Sequence, residues 1–124
     1  MKRSLLLTLA AVLLSGCAAV SNLRDSRDPY DDPFYAKYLN TGSALDAEIS
    51  RTLEQLRANP ESAELHNYLG ALLVDKGFPK DAEREFERAL NVDSSYYPAW
   101  YNLGLVRSFR GDELGARRAY YRTI

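Results

Sequence analysis

The sequence predicts an all-α fold built from repeated helix pairs, and an internal repeat is the first observation behind that prediction. Residues 63–70 (AELHNYLG) align with residues 97–104 (YPAWYNLG) at an offset of 34. The second observation is that the same register holds downstream, where Gly77 falls over Gly111 and Phe86 falls over Tyr120. A period of this length is typical of stacked helical units. We therefore expect helices and no strand.

The first element along the chain has the anatomy of a secretory signal peptide. Lys2 and Arg3 supply a positive segment, residues 5–14 are apolar apart from one threonine, and small Ser15 and Gly16 follow. This order of charge, apolar run and small residues is the pattern of a cleaved export signal. We assign residues 1–16 to the signal peptide.

The next four letters, Leu14-Ser-Gly-Cys17, resemble the lipobox of bacterial lipoproteins. The resemblance implies cleavage before Cys17, a diacylglyceryl thioether on its sulfur and an acyl chain on the new amino terminus. Two or more acyl chains give a stable membrane anchor. In the sorting rule of this class an aspartate after the cysteine keeps the protein in the inner membrane. Ala18 stands there, so the resemblance implies the outer membrane of the bacterial envelope, facing the periplasm.

Two alternatives for the N-terminus are an ordinary signal peptide and an uncleaved membrane helix over residues 5–20. A spanning helix needs about 20 apolar residues, and this run is shorter and carries polar positions. The chain contains one cysteine and has a formal net charge of −1. With Cys17 lipidated, no sulfur remains for a disulfide or a thiolate metal site. The charge does not favour nucleic acid as a partner.

A polar linker separates the anchor from the repeats. Residues 21–32 mix acidic and basic side chains around Pro29 without apolar periodicity, which is typical of a solvated tether. We assign residues 17–32 to the lipidated N-terminus and flexible linker, and residues 33–124 to the folded domain. Predicted helices lie near residues 33–40, 43–57, 63–76, 79–91, 97–110 and 113–123.

The repeated segments resemble the tetratricopeptide repeat (TPR), whose period is 34 residues. The run Trp100-Tyr-Asn-Leu-Gly104 is close to the consensus of that family. The resemblance gives repeats at 63–96 and 97–124 and a degenerate unit at 29–62. In this reading Gly70 and Gly104 lie where paired helices approach closely, and Gly77 and Gly111 end the first helix of each pair. In the degenerate unit, Ser43 and Asp46 resemble a capping box.

Members of the TPR family bind a peptide or a partner helix in a concave groove lined by the first helices. Mapped by position, the resemblance implies a groove lined by Asn67, Ala71, Val74, Asp75, Tyr101, Asn102, Leu105 and Phe109. Chaperone-binding relatives hold a peptide carboxylate with basic side chains. Asn67 and Ala71 stand where such side chains would be, so we expect an apolar or mixed peptide.

No residue pattern predicts an enzyme. His66 is the only histidine, and no second ligand or base is spaced to join it, so we expect a buried packing role for it. The sequence lacks the common metalloprotease, phosphate-loop and serine-nucleophile motifs. We predict no cofactor beyond the covalent lipid on Cys17 and no metal. The charged run at 80–88 is expected to form a solvated helix face.

Arginine and tyrosine are concentrated in the last unit. Two interpretations stay open: a docking patch for an acidic partner or an anionic polymer, or an exposed helix decorated with arginines over a tyrosine core. Self-association through the open end of the array is a further hypothesis. The arginines are Arg107, Arg110, Arg117, Arg118 and Arg122.

Together these observations predict a membrane-anchored scaffold lipoprotein that binds another envelope protein, in a role such as envelope or pilus assembly. Two rival functions remain. One is direct binding of an anionic envelope or cell-wall polymer through the C-terminal unit, and the other is activation of a periplasmic hydrolase without catalysis.

Overall fold

The computed structural model describes residues 33–40 and 42–124, which belong to one compact unit, Pro33–Ile124. Within these residues all regular structure is helical. A short 3₁₀ helix comes first and five α-helices follow. Their bounds are Phe34–Tyr38 for the 3₁₀ helix, Ala44–Ala58 for α1, Ala63–Lys76 for α2, Pro79–Val92 for α3, Tyr97–Phe109 for α4 and Glu113–Tyr121 for α5.

Each α-helix packs on the next one along the chain, and α2 also contacts α4. Short connections between neighbours make successive helical hairpins, as expected for a solenoid of helix pairs. The core is a continuous row of apolar side chains buried between the helices. Its largest fully buried members are Phe86, Ile49, Leu56, Leu69, Leu73 and Leu103.

A glycine terminates the first helix of each repeat, as the sequence predicts: Gly77 directly follows α2, and Gly111 lies two residues after the end of α4. Gly77 has φ of 93° and Gly111 has φ of 83°, a left-handed conformation that glycine adopts at little cost. The amide after each glycine closes a hydrogen-bonded turn of six residues. Phe78 N–H donates to Leu73 O at 2.8 Å, and Asp112 N–H donates to Arg107 O at 2.9 Å. Both turns are therefore the same Schellman motif.

The close approach predicted at Gly70 and Gly104 is present in both repeats. A Cβ placed on Gly70 would lie 2.5 Å from a ring carbon of Phe86, and one on Gly104 would lie 2.5 Å from the same carbon of Tyr120. Such distances are far inside van der Waals contact. Phe86 and Tyr120 thus fill the space inside their own hairpin, directly over the glycine, and not only the gap between hairpins.

The ring at the fourth position of each repeat makes a repeated hydrogen bond. Trp100 Nε1 donates to Ser94 O at 2.8 Å, and His66 Nε2 lies 2.8 Å from Pro60 O, the residue 34 positions before Ser94. An indole nitrogen can only donate. By this equivalence His66 Nε2 is also the donor, and its second nitrogen, Nδ1, faces Glu85 Oε2 at 2.8 Å.

Three expectations change at the level of single elements, and the first is the N-terminal helix. The segment predicted as a helix at 33–40 is a five-residue 3₁₀ helix. It packs its aromatic side chains on Phe78, with the ring centroids of Tyr38 and Phe78 5.5 Å apart. A turn this short cannot reach along a partner helix, so the degenerate unit is held by an aromatic cluster in place of a regular hairpin.

The capping box predicted at Ser43 and Asp46 is only half formed. Ser43 Oγ accepts from Asp46 N–H at 3.4 Å, but Ser43 N–H donates to Asn40 O. The Asp46 carboxylate instead accepts from Asn40 N–H and contacts Lys76 Nζ, each at 2.7 Å. Those two contacts, the Lys76 bond first, lower the pKa of this carboxyl below its ordinary value of 3.8.

The expectation that the charged run at 80–88 forms a solvated face is wrong at one position. Glu85 is buried between Arg88 and His66. Its repeat equivalent is the buried Ala119, and the repeat equivalent of His66 is the larger Trp100. A small histidine in one repeat leaves room for a carboxylate, whereas an indole in the next requires alanine.

Candidate functional site

An open groove lies between the first helices of the two regular repeats, α2 and α4. Its volume is about 840 Å³, and its surface is mostly apolar. The groove is lined by Ala71, Val74, Asp75, Gly77, Pro79, Phe86, Asn102, Leu105, Val106 and Phe109. A concave, largely apolar cavity of this size is the usual form of a ligand-binding surface.

The walls of the groove carry apolar side chains that face solvent. Val74 on α2 is 44% exposed, and Leu105 and Phe109 on α4 are 46% and 85% exposed. They recur at helical spacing because residues four apart lie on one face of a helix. Since exposed apolar clusters on soluble domains commonly mark interaction surfaces, this face is suited to an apolar partner.

Contacts between the helices form the base of the groove. Asn102 Nδ2 donates to Asn67 Oδ1 at 2.9 Å and ties α4 to α2. Phe86 lies beneath, held by its contact with the backbone of Gly70. These contacts join α2, α3 and α4 at the base of the groove.

The electrostatic character of the groove comes from one carboxylate. Asp75 is its only ionisable lining residue, and it is exposed. No cation among the described residues forms an ion pair with it. An incoming amine or guanidinium would therefore find an acceptor at one end of the groove.

The groove brings together six of the eight residues that the TPR resemblance implies: Ala71, Val74, Asp75, Asn102, Leu105 and Phe109. Asn67 lies just beyond the lining, bonded to Asn102, and Tyr101 packs its ring 5.9 Å from that of Tyr120. Whether these eight residues bind a partner stays a prediction.

Four lining residues are absent from the expected set: Gly77, Pro79, Phe86 and Val106. Gly77 lies in the turn after α2, and Pro79 and Phe86 lie on α3. Family position alone does not assign the turn or the second helix to the groove. The only sequence signal for Val106 is that it is apolar, as is Leu72 at the equivalent position of the preceding repeat. Its role depends on the angle between helices, which the packing sets.

His66 is buried, as expected, but a carboxylate that its sequence spacing did not indicate joins it: Nδ1 lies 2.8 Å from Glu85 Oε2, and Nε2 lies 2.8 Å from Pro60 O. His66 lies outside the groove lining. Across residues 33–40 and 42–124, no group of three or more potential ligands is placed to hold a metal ion. The groove lining itself offers apolar, amide and carboxylate groups.

The arginine-rich patch predicted in the last unit is smaller than its sequence suggests. Arg107 Nε lies 2.8 Å from Glu83 Oε1 and its Nη2 lies 2.9 Å from Glu87 Oε1; Arg110 also pairs with Glu83. Two of the five charges are thus compensated by α3, from the preceding repeat. Arg117 and Arg118 are exposed, and the Arg122 guanidinium lies 5.6 Å from the ring of Trp100.

The predicted signal peptide, Cys17 and linker lie outside the described residues. Within the part that the structure describes, no helix is both long and apolar enough to cross a bilayer. These observations define the class: a TPR-type helical-repeat domain with an exposed groove.

Comparison with known proteins supports that class. The family model "Prokaryotic membrane lipoprotein lipid attachment site" matches residues 1–18, which makes the chain similar to lipid-anchored proteins of the bacterial envelope. No relative was found among curated proteins. The fold is similar to the second TPR of Spaghetti (RPAP3) bound to the HSP90 peptide SRMEEVD, with a TM-score of 0.62 and 18% identity over 71% of this chain and 82% of that one. The structure of MamA is 24% identical over 72% of each chain, but its TM-score is 0.33, too low to support an argument.

Proposed function

We propose that this protein is a lipid-anchored TPR scaffold of the bacterial envelope that holds a segment of another envelope protein in its groove, without catalysis. The observation that carries the proposal is the largely apolar groove between α2 and α4, with Val74, Leu105 and Phe109 exposed along its walls. Burying such side chains on binding contributes about 25 cal/mol per Å² of apolar area.

The groove chemistry favours a peptide or helix that is apolar and carries a basic residue. The solved TPR neighbour is bound to SRMEEVD, a peptide rich in acidic residues. In this chain the lining supplies one carboxylate, Asp75, and no cation. An acidic peptide would meet repulsion there, whereas a lysine or arginine would pair with Asp75.

The proposed anchor sets where the groove operates. The match at residues 1–18 supports lipidation at Cys17, and Ala18 supports sorting to the outer membrane, with the domain facing the periplasm. The linker before residue 33 then limits the distance between the groove and the membrane. Tethering raises the effective concentration of the groove for partners at the same surface.

In-cell photocrosslinking tests the proposal. A photoreactive phenylalanine analogue is placed at Phe109, in the groove, and in a matched chain at Leu114, which is also apolar and exposed but lies outside it. We expect a discrete adduct from position 109 that is lost when Val74 is changed to Asp. Identical adducts from both positions, or an adduct that survives Val74→Asp, would contradict the groove as the binding site.

The same experiment separates the two rival functions. If the protein binds an envelope polymer through its C-terminal unit, Arg117→Glu with Arg118→Glu abolishes polymer pull-down and leaves the adduct at position 109 unchanged. If it activates a hydrolase, the captured partner is a hydrolase whose rate rises on addition of the purified protein, which is inactive alone.

A further inference from the structure

The 3₁₀ helix at the start of the folded domain exposes aromatic side chains. Phe34 is 59% exposed and Tyr38 is 50% exposed, and Lys37 between them is exposed as well. Together with Phe78, on which the two rings pack, we call these residues the aromatic patch. The lining of the groove includes none of the four, so the proposed partner groove does not account for the patch.

Ring contacts hold the members of the patch together. The ring centroids of Phe34 and Tyr38 lie 5.6 Å apart, and they lie 6.4 Å and 5.5 Å from that of Phe78. Lys37 Nζ lies 4.2 Å from the centroid of the Phe34 ring and 5.2 Å from that of the Tyr38 ring. The patch therefore combines exposed aromatic rings with an ammonium group at one surface.

This combination of side chains suits the headgroup region of a phospholipid bilayer. Tyrosine, which is apolar with a polar tip, concentrates at the level of the headgroups. A lysine beside it lays its apolar stem on the rings and extends its amino group to a headgroup phosphate. Lysine is by contrast depleted from protein–protein interfaces, so the lysine at the patch favours a lipid surface over a protein.

The position of the patch in the chain brings it within reach of the membrane. Cys17 precedes Pro33 by 16 residues. Since a chain spans at most about 3.3–3.6 Å per residue, the start of the domain lies within about 55 Å of Cys17 whatever conformation the intervening residues take. A lipid on Cys17 thus raises the effective concentration of the bilayer surface for this end of the domain.

We propose that the aromatic patch contacts the headgroup region of the bilayer that holds the anchor, with Phe34 and Tyr38 at the interface and Lys37 on headgroup phosphates. The proposal rests on the lipid anchor of the proposed function. An acyl tether alone leaves the domain free to rotate about the linker. The contact would fix the 3₁₀ helix at the membrane, and the successive helix pairs would extend from there.

Spin labelling of the full mature protein in vesicles tests the contact. A nitroxide is attached through Tyr38→Cys, in the patch, and in a matched chain through Tyr121→Cys, at an exposed tyrosine of α5. Because Cys17 carries the lipid, the introduced thiol is the one that reacts. The vesicles contain phosphatidylethanolamine and phosphatidylglycerol, and a water-soluble nickel chelate reports which label faces water. We expect loss of collision with the chelate at position 38 and free collision at position 121.

Substitutions in the patch decide the outcome. In the chain labelled at position 38, Phe34→Ser with Lys37→Glu should restore collision with the chelate. Leu114→Ser with Arg118→Glu, comparable changes at exposed positions of α5, should leave the label shielded. Shielding that survives Phe34→Ser with Lys37→Glu would overturn the proposal.

Vesicle flotation separates this proposal from the anchor. A protein that floats with the vesicles while both labels collide equally with the chelate would overturn the bilayer contact and leave the anchor intact. A protein that does not float with them would overturn both. Shielding of position 38 that appears only after an envelope extract is added would assign the patch to a protein partner and overturn the bilayer contact.

Discussion

Gly70 and Gly104 illustrate how single residues decide the packing of each hairpin. Any larger residue at either position would drive Cβ into the ring of Phe86 or Tyr120. Because the Phe86 ring is buried, it cannot move aside without opening the hairpin.

We therefore predict that Gly70→Ala lowers the free energy of unfolding by about 1–3 kcal/mol, the usual cost of overpacking. Urea denaturation of the purified protein measures it. Gly42→Ala is the matched control, since its Cβ would find its nearest neighbour at 3.5 Å, an ordinary contact. Equal stability of the Gly70 and Gly42 variants would contradict the close approach.

A second prediction at the residue scale concerns Asp46 and pH. The bond from Lys76 and the Asn40 N–H lower the pKa of Asp46 in the folded protein. A carboxyl with a lowered folded pKa stabilises fully above its unfolded value and loses that stabilisation as pH falls through the folded value. Lys76→Met removes the main cause, so the wild type should lose more stability than this variant as pH falls below about 4.

The measurement is the free energy of unfolding between pH 2 and pH 6, each point from a urea titration. Lys80→Met is the control, because this lysine is exposed and forms no ion pair among the described residues. A parallel pH dependence for wild type and Lys76→Met would show that the Asp46–Lys76 contact does not stabilise the fold.

At the scale of elements, the contact between α3 and α4 joins the two repeats. Glu83 is mostly buried and accepts from Arg107 and Arg110, so these charges are partly screened from water. Partly buried ion pairs that form a network contribute more than isolated surface pairs.

We predict a coupling energy of about 1 kcal/mol between Glu83 and Arg107 in a double-mutant cycle with Glu83→Gln and Arg107→Gln. Arg84 forms its pair within α3, so a cycle of Glu83 with Arg84→Gln should give no coupling. Thermal unfolding at low salt provides the values. Additive effects of Glu83→Gln and Arg107→Gln would mean that the Glu83–Arg107 pair does not help to hold the repeats together.

At the scale of the whole molecule, the function proposed here joins an anchor to a groove. The match at residues 1–18 supports the anchor, and the groove between α2 and α4 supports binding. In the proposed function, the tether raises the effective concentration of the groove for a partner at the same membrane, so that a low intrinsic affinity would suffice.

We predict that Cys17→Ser abolishes incorporation of a palmitate analogue in cells and that the chain keeps residues 1–16, since the thiol is the acceptor of the first lipid. Mass spectrometry of the purified protein reports both changes. Ser15→Ala is the control, because it keeps a small residue before the cleavage site. Continued labelling of the Cys17→Ser chain would contradict lipidation at this residue.

Much of the fold was predictable because the same sequence signals recur at the same positions of each repeat. Left-handed glycines, close-approach glycines and a 34-residue offset place four of the five α-helices within a few residues of their observed bounds. The 3₁₀ helix was harder to predict, since Phe34 and Tyr38 pack on Phe78, which lies some 40 residues further along the chain. Distant contacts of this kind leave no local periodicity.

The sequence by itself determined the helical repeat, its glycine positions and the lipobox-like N-terminus, because each depends on residues close together in the chain. Only the tertiary structure decided that Glu85 is buried on His66, that Arg107 and Arg110 are compensated by α3, and that Phe86 and Val106 complete the groove. The physical reason is that charge pairing and cavity shape depend on which helix faces meet. The crossing of the helices sets those faces, and no single segment encodes it.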